Sequence, residues 1–251
     1  LDTLLESYGI TDVKSFVHPV RSKSLNDPFL MKNMDTAIEL VHDKLKEDCK
    51  ILIYTDSDCD GACSAAIMTQ FLQYLKPNVK LDYTYSLQKD HGLTMEKLAN
   101  FTKDEFGLII IPDASMEVKE AIQITRNFSA PILVLDHHQV ETQTIDTWTG
   151  EWMAREKAIE IYKENPEEYK TRFRTDCYTN YCVAVNSTDG QYPCDAICGT
   201  GVVMKFAEAY CEKYELDTEI LDEMMELVSL AEIADGMDSI QGESRWYMLE
   251  G

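Results

Sequence analysis

Three aspartates stand on alternate positions in YTDSDCDG, residues 54–61, and a glycine closes the run. Alternation suits a strand, yet nothing apolar separates Asp56, Asp58 and Asp60, so no hydrophobic core would take this face. Two further stretches end an apolar run in similar groups: IIIPDAS supplies Asp113, and LVLDHH supplies Asp136, His137 and His138. Carboxylates crowded into one cleft repel and raise one another's pKa, and divalent cations are the usual compensation. Carboxylate oxygens with one or two imidazoles suit Mn²⁺ or Mg²⁺. Two such ions about 3.5–4 Å apart can activate a water and steady the leaving oxygen of a phosphoryl transfer. One carboxylate from a separate strand must then bridge them, and Asp113 is the natural candidate. The competing reading of DSDCDGACSAAI is a calcium loop. Its glycine falls at the right offset, but Ile67 stands where that loop needs a glutamate.

Something must bring these groups together, and the hydrophobic pattern says what. NMDTAIELVHDKLKEDC carries Met34, Ile38, Val41 and Leu45 at helical spacing, and GACSAAIMTQFLQYL resumes that period after the glycine. KILIYTD, FGLIIIPDAS and APILVLDHHQ are short continuous apolar runs, the signature of strands buried on both faces. VKLDYTYS reads as a further strand and EVKEAIQITRNF as a helix. Strands alternating with helices predict an α/β fold, a parallel sheet flanked by helices. Such sheets bind ligands outside the carboxyl ends of their strands, which is where the acids fall.

The chain of 251 residues is long enough for a sizeable core, and 45% hydrophobic with 27% charged residues is ordinary for a globular protein. No apolar run reaches membrane-span length, and the first residues lack a basic region followed by an apolar one, so a cytoplasmic protein is expected. The eight cysteines are scattered, which fits reduced thiols. Cys177, Cys182, Cys194 and Cys198 cluster in sequence, but without the paired CxxC spacing that argues for zinc. A net charge of −22 is awkward for a nucleic-acid binder, whose affinity normally rests on a basic face.

In order and spacing, YTDSDCDG, Asp113 in IIIPDAS, LVLDHH and the later AEIADGMDSIQGESRW resemble the successive motifs of the DHH phosphoesterase superfamily, with the RecJ-type single-strand exonucleases nearest. Residues 1–47 resemble the helical segment that leads into the first motif, and VNSTDGQYPCDAICGTGVVMKFAEAY resembles the stretch ending in a glycine turn and a lysine-bearing helix. The resemblance implies metal ligation by Asp58, Asp60, Asp113, His137 and Asp235, with two Mn²⁺ ions, or Mg²⁺, as cofactor. It places His138 beside the scissile phosphate, and Asp56 and Asp136 in supporting hydrogen bonds. Lys205, one helical turn in, is expected either to reach a phosphate or to snorkel along the surface. Tyr54 replaces a histidine found in many members, and a packing role is expected for it.

Two departures stand out. About 40 residues, roughly 141–182, intervene between DHH and VNSTDG where the family needs only a short connection. They are expected to form a helical insertion whose Arg172 and Arg174, interleaved with aromatics, would suit base stacking and phosphate contact. The sequence ends soon after the fourth acidic motif, before the family's second domain with its glycine-rich substrate-binding motif. It is therefore expected either to be the catalytic half of a longer protein or to grip its substrate differently. The expected protein is a metal-dependent phosphodiesterase acting on single-stranded DNA from the 5′ end. The alternatives are an enzyme for cyclic dinucleotides or short oligonucleotides, and a non-catalytic subunit that binds a replication or repair partner.

Overall fold

The computed structural model describes residues 2–86, 92–161, 163, 166–190, 192–194, 196–240 and 242–251. Short helices α1 (Asp2–Ser7), α2 (Val13–Val17) and α3 (Arg21–Ser24) lead to α4 (Met34–Lys46). The helix α4 buries Met34, Ile38, Val41 and Leu45, the stripe its spacing predicts. Then β1 (Lys50–Thr55), α5 (Cys59–Leu75), β2 (Lys80–Tyr85), β3 (Leu108–Pro112), α6 (Val118–Asn127) and β4 (Ile132–Asp136) follow in turn. An inserted unit holds β5 (Thr142–Asp146), β6 (Trp152–Ala154), α7 (Arg155–Ile161), α8 (Pro166–Arg172) and β7 (Phe173–Cys177). The chain returns through β8 (Val183–Asn186) and finishes with α9 (Gly199–Lys213), α10 (Glu219–Ala234) and α11 (Gly242–Glu250).

The main sheet has five parallel strands in the order β2-β1-β3-β4-β8. Alternate residues of its central strands enter opposite layers. Ile51, Ile53, Ile110 and Leu135 pack with α4, α5 and α9, while Leu52, Ile109, Ile111 and Val134 pack with α6. Each such buried aliphatic side chain contributes about 1.5–3 kcal/mol relative to exposure, which is why these strands read as unbroken apolar runs. Because β1 leads outward to β2 on one side and its neighbour β3 leads outward to β4 on the other, the connections leave the adjacent carboxyl ends of β1 and β3 in opposite directions. That divergence opens a crevice at the strand ends. Among the described residues, no helix is long and apolar enough to cross a membrane.

The insertion departs from expectation. Besides the short helices α7 and α8 it carries an antiparallel sheet, β6-β5-β7. Its strands TQTID and FRTDC are polar on one face and, among the described residues, pair only with each other and β6, so little apolar periodicity betrays them. Residues 162, 164 and 165 of this segment lie outside the description.

Lys205 must also be reassigned. It lies on the buried face of α9, fully inaccessible, with Nζ 2.6 Å from Glu243 Oε1, 3.4 Å from Glu208 Oε2 and 2.9 Å from the Asn26 carbonyl. A lysine so enclosed reaches no substrate phosphate; it ties α9 to α11 and to the N-terminal segment. Removing one partner of a buried ion pair typically costs about 3–5 kcal/mol, because the other charge is left without compensation. Lys205→Met should therefore lose about that much stability in urea denaturation, and Lys205→Met with Glu243→Leu should recover part of it. Unchanged stability in the single variant would contradict this assignment.

Candidate metal centre

Asp56 follows β1 directly and turns its carboxylate back to accept from Ser57 N at 2.9 Å. Two residues on, Asp58 caps α5 by accepting from Gly61 N at 2.9 Å. Alternation thus ends in a helix start, and aspartate is among the preferred residues there because it satisfies an otherwise unpaired N–H. Asp60, inside the first turn, is buried and faces the amino end of α9. Its Oδ2 accepts from Gly199 N at 2.7 Å, while Oδ1 accepts from Thr200 N at 2.8 Å and from Thr200 Oγ1 at 2.5 Å. The positive end of a helix dipole thereby compensates one buried charge.

Asp113 follows β3 with φ of 53°, in the left-handed region that non-glycine residues seldom occupy. That turn lays its carboxylate against α9. A Cβ at Gly199 would lie 2.2 Å from Asp113 Oδ1, so only glycine fits there. Asp136 ends β4, and its Oδ1 accepts from His137 N at 2.8 Å, from His138 N at 3.3 Å and from His138 Nδ1 at 2.7 Å. The His137 ring turns the other way. Its Nε2 lies 3.4 Å from Asp113 Oδ1, 3.7 Å from Asp60 Oδ2 and 3.7 Å from Asp235 Oδ2, where Asp235 closes α10.

Four predicted ligands, Asp60, Asp113, His137 and Asp235, are therefore gathered from four different parts of the chain. Single ligand atoms of Asp60, His137 and Asp235 lie within 4.8 Å of one another, as do those of Asp113, His137 and His138. Asp58 belongs to neither group and is exposed. Arg172 does not face a substrate as expected. Its guanidinium is forked onto Asp146, with Nε 2.9 Å from Oδ1 and Nη2 2.6 Å from Oδ2, and lies over the Trp148 ring. Arg174 is exposed on β7 and pairs with Asp176. Tyr54 is buried in the α6 layer and accepts from Lys97 Nζ, a packing role.

The electrostatics ask for a cation. Burial, followed by the charges of Asp60, Asp136 and Asp58, pushes the Asp113 carboxyl up to about 11. Burial likewise raises Asp235, although His137 opposes it. The hydrogen bond to Asp136 lifts His138 to about 9. Asp113 Oδ1 and Asp136 Oδ2 are buried with no hydrogen-bond partner among the described residues. An orphaned carboxylate oxygen amid oxygen and imidazole donors fits a hard divalent ion such as Mn²⁺ or Mg²⁺.

Three residues that motif reading passed over complete the frame. Asn186, at the end of β8, donates to the His138 carbonyl at 2.8 Å. Thr200 holds Asp60. Glu232, one helical turn before Asp235, is fully buried, accepts from Cys198 N at 3.4 Å and is pushed up to about 7 by burial. Only the glycine pair in CGTG hinted at this close approach.

The family described as DHH family, N-terminal domain, matches residues 50–231. A Bacillus subtilis strain 168 protein named as a putative SPbeta prophage-derived single-strand DNA-specific exonuclease, YorK, is 28% identical over all of this chain and 36% of its own length. The single-stranded-DNA-specific exonuclease RecJ of Bacillus subtilis is 24% identical over 93% of this chain and 25% of its own. This chain thus spans about a third or less of these relatives. The structure of Thermus thermophilus RecJ in complex with Mn²⁺ superposes with a TM-score of 0.67 at 17% identity, covering 100% of this chain and 30% of that one. At that identity the likeness is one of fold.

A carboxyl whose folded pKa is raised keeps a proton that the unfolded chain has released, so its contribution to stability falls as pH rises from about 4 towards 11. Metal-free protein should lose up to about 1.4 kcal/mol per pH unit through Asp113 across the neutral range. Asp113→Asn should flatten that slope in chemical denaturation with chelator present. An identical slope in both proteins would mean that Asp113 is ionised without a metal.

Proposed function

This chain belongs to the DHH family, and on that premise we propose that it is the catalytic part of a divalent-metal-dependent, single-strand-specific DNA exonuclease of RecJ type, working from the 5′ end. The observation that carries the reading is Asp113, buried and partly without a partner among the described residues, set against His137, Asp60 and the start of α9. A scaffold protein has no physical reason to hold a carboxylate in that state. The likeness to YorK and RecJ, both named for single-strand-specific exonuclease activity, supports the substrate class.

In this reading Asp60, Asp113, His137 and Asp235 hold the cations, with Asp58 close by in sequence at the amino end of α5. Two bound Mn²⁺ ions would supply Lewis acidity, making water a stronger acid and neutralising charge on the phosphate. The chain's own residues set the rest. Asp136 fixes the His138 ring and raises its pKa, so a protonated imidazole can donate to a phosphoryl oxygen as charge builds there. Asp56 shapes the turn that delivers Asp58 and Asp60. The net charge of −22 favours a second reading, in which the preferred substrate is a short oligonucleotide rather than a long polyanion.

The test is hydrolysis of 5′- and 3′-labelled single strands, duplex and dinucleotides with Mn²⁺ and with chelator. Single strands should be shortened from the 5′ end, duplex spared, and chelator should stop the reaction. His138→Gln should lower kcat by about 100-fold or more. Full activity in chelator, or in Asp113→Ala, would remove the proposal.

A further inference from the structure

A cavity of about 450 Å³ opens beside the metal centre, and His138 and Asp56 form part of its wall. Ala114, Ser115 and Met116, from the turn after β3, line one side. Glu141 just before β5, Gln143 within it and Tyr178 just beyond β7 line another. Those three come from the inserted segment. Gln143 is fixed there, because its Oε1 accepts from Val118 N at 3.0 Å. Tyr178 is buried in the same apolar layer as Ile111, Val134 and Ala184.

The chemistry of the wall limits what it can take. Among the described residues no lysine or arginine lines it; His138 at the catalytic edge is the one cationic group, and Glu117 and Glu141 add negative charge. A phosphate placed deep inside would face the carboxylates of Asp56 and Glu141, while Glu117 is offset by Lys119 Nζ at 3.2 Å. A neutral, flat group with hydrogen-bonding edges would meet the amide of Gln139 and the Ser115 hydroxyl, over a floor to which the largely buried Met116 and Tyr178 contribute, a lining suited to a nucleobase. The volume lies within the range of small-ligand pockets.

We propose that this cavity is a nucleoside subsite, which takes the base and sugar next to the scissile phosphate while the phosphate stays at His138 and the metal centre. The β5–β7 unit supplies its outer wall. The proposal rests on the phosphodiesterase reading and adds to it a substrate-binding role for the insertion that does not use Arg172. It also accounts for how so acidic a chain could hold a short substrate: affinity comes from one buried nucleoside rather than from a basic track.

Binding of thymidine 5′-monophosphate, with deoxyribose 5-phosphate as the base-free comparator, separates the subsite from the metal chemistry when both are titrated calorimetrically with Mn²⁺ present. The nucleotide should bind at least about tenfold more tightly than the comparator. Ser115→Trp, which fills the cavity, should bring that ratio close to one, and Gln139→Trp on the exposed rim provides a second filling variant should the first not fold. Equal affinity of the two ligands for the unaltered protein, no measurable nucleotide binding, or a ratio unmoved by a folded variant would overturn the subsite. Hydrolysis of methyl 4-nitrophenyl phosphate by the unaltered protein, a diester with no nucleoside, reads the phosphodiesterase chemistry separately. Its absence would count against the proposed function rather than against the cavity.

Discussion

Burying Asp60, Asp113 and Asp136 at one edge of a sheet is the constraint around which the other parts are arranged. Like charges in a low-dielectric crevice oppose one another strongly, and each carboxylate needs an answer. Asp60 has the amino end of α9, two backbone N–H groups and a threonine hydroxyl. Asp136 has the amides of His137 and His138 and the His138 ring. Asp113 has none at Oδ1 among the described residues, and burial lifts its carboxyl far above the usual carboxylate range. Asp60 is thus answered at both oxygens, whereas Asp136 is answered at Oδ1 alone. Asp136 Oδ2, like Asp113 Oδ1, has no hydrogen-bond partner among the described residues. On the proposed reading a cation meets that deficit.

From this follow choices that would otherwise look arbitrary. Gly199 is required because Asp113 occupies the space of a side chain there. Gly201 is required because Glu232 and Ile197 crowd the next turn, a Cβ falling 2.9 Å from Glu232 Oε1 and 2.3 Å from Ile197 Cγ1. The left-handed backbone at Asp113 costs of order 1–3 kcal/mol, and the buried strands beneath it hold the turn in place. Lys205, further along the same helix, anchors α9 to α11 through Glu243. The helix that compensates Asp60 is thereby held at its start and again near its middle.

The acids, the alternating elements and the two-faced burial of β1, β3 and β4 were legible in the sequence, since each is a local pattern. What could not be read was pairing across long separations. Nothing local in CDG announces that Asp60 will cap a helix beginning at Gly199. Lys205 sits in a largely apolar stretch of its helix, and the arrival of Glu243 and Asn26 from distant segments encloses it. Arg172 and Arg174 look like contacts for a nucleic-acid strand until Asp146 takes the fork of Arg172. The strands β5 and β7 are polar and pair with one another, so the Lys, Glu and Arg around them read as helical surface.

The central claim is that this edge is a cation site whose charge, without metal, is held down by protonation. Titrating Mn²⁺ into metal-free protein at pH 7, by calorimetry in buffers of different ionisation enthalpy, counts the protons released as the ions bind. Saturable binding with release of about one proton per chain is expected, the one Asp113 must give up. Binding with no proton release, or no saturable binding at all, would contradict it.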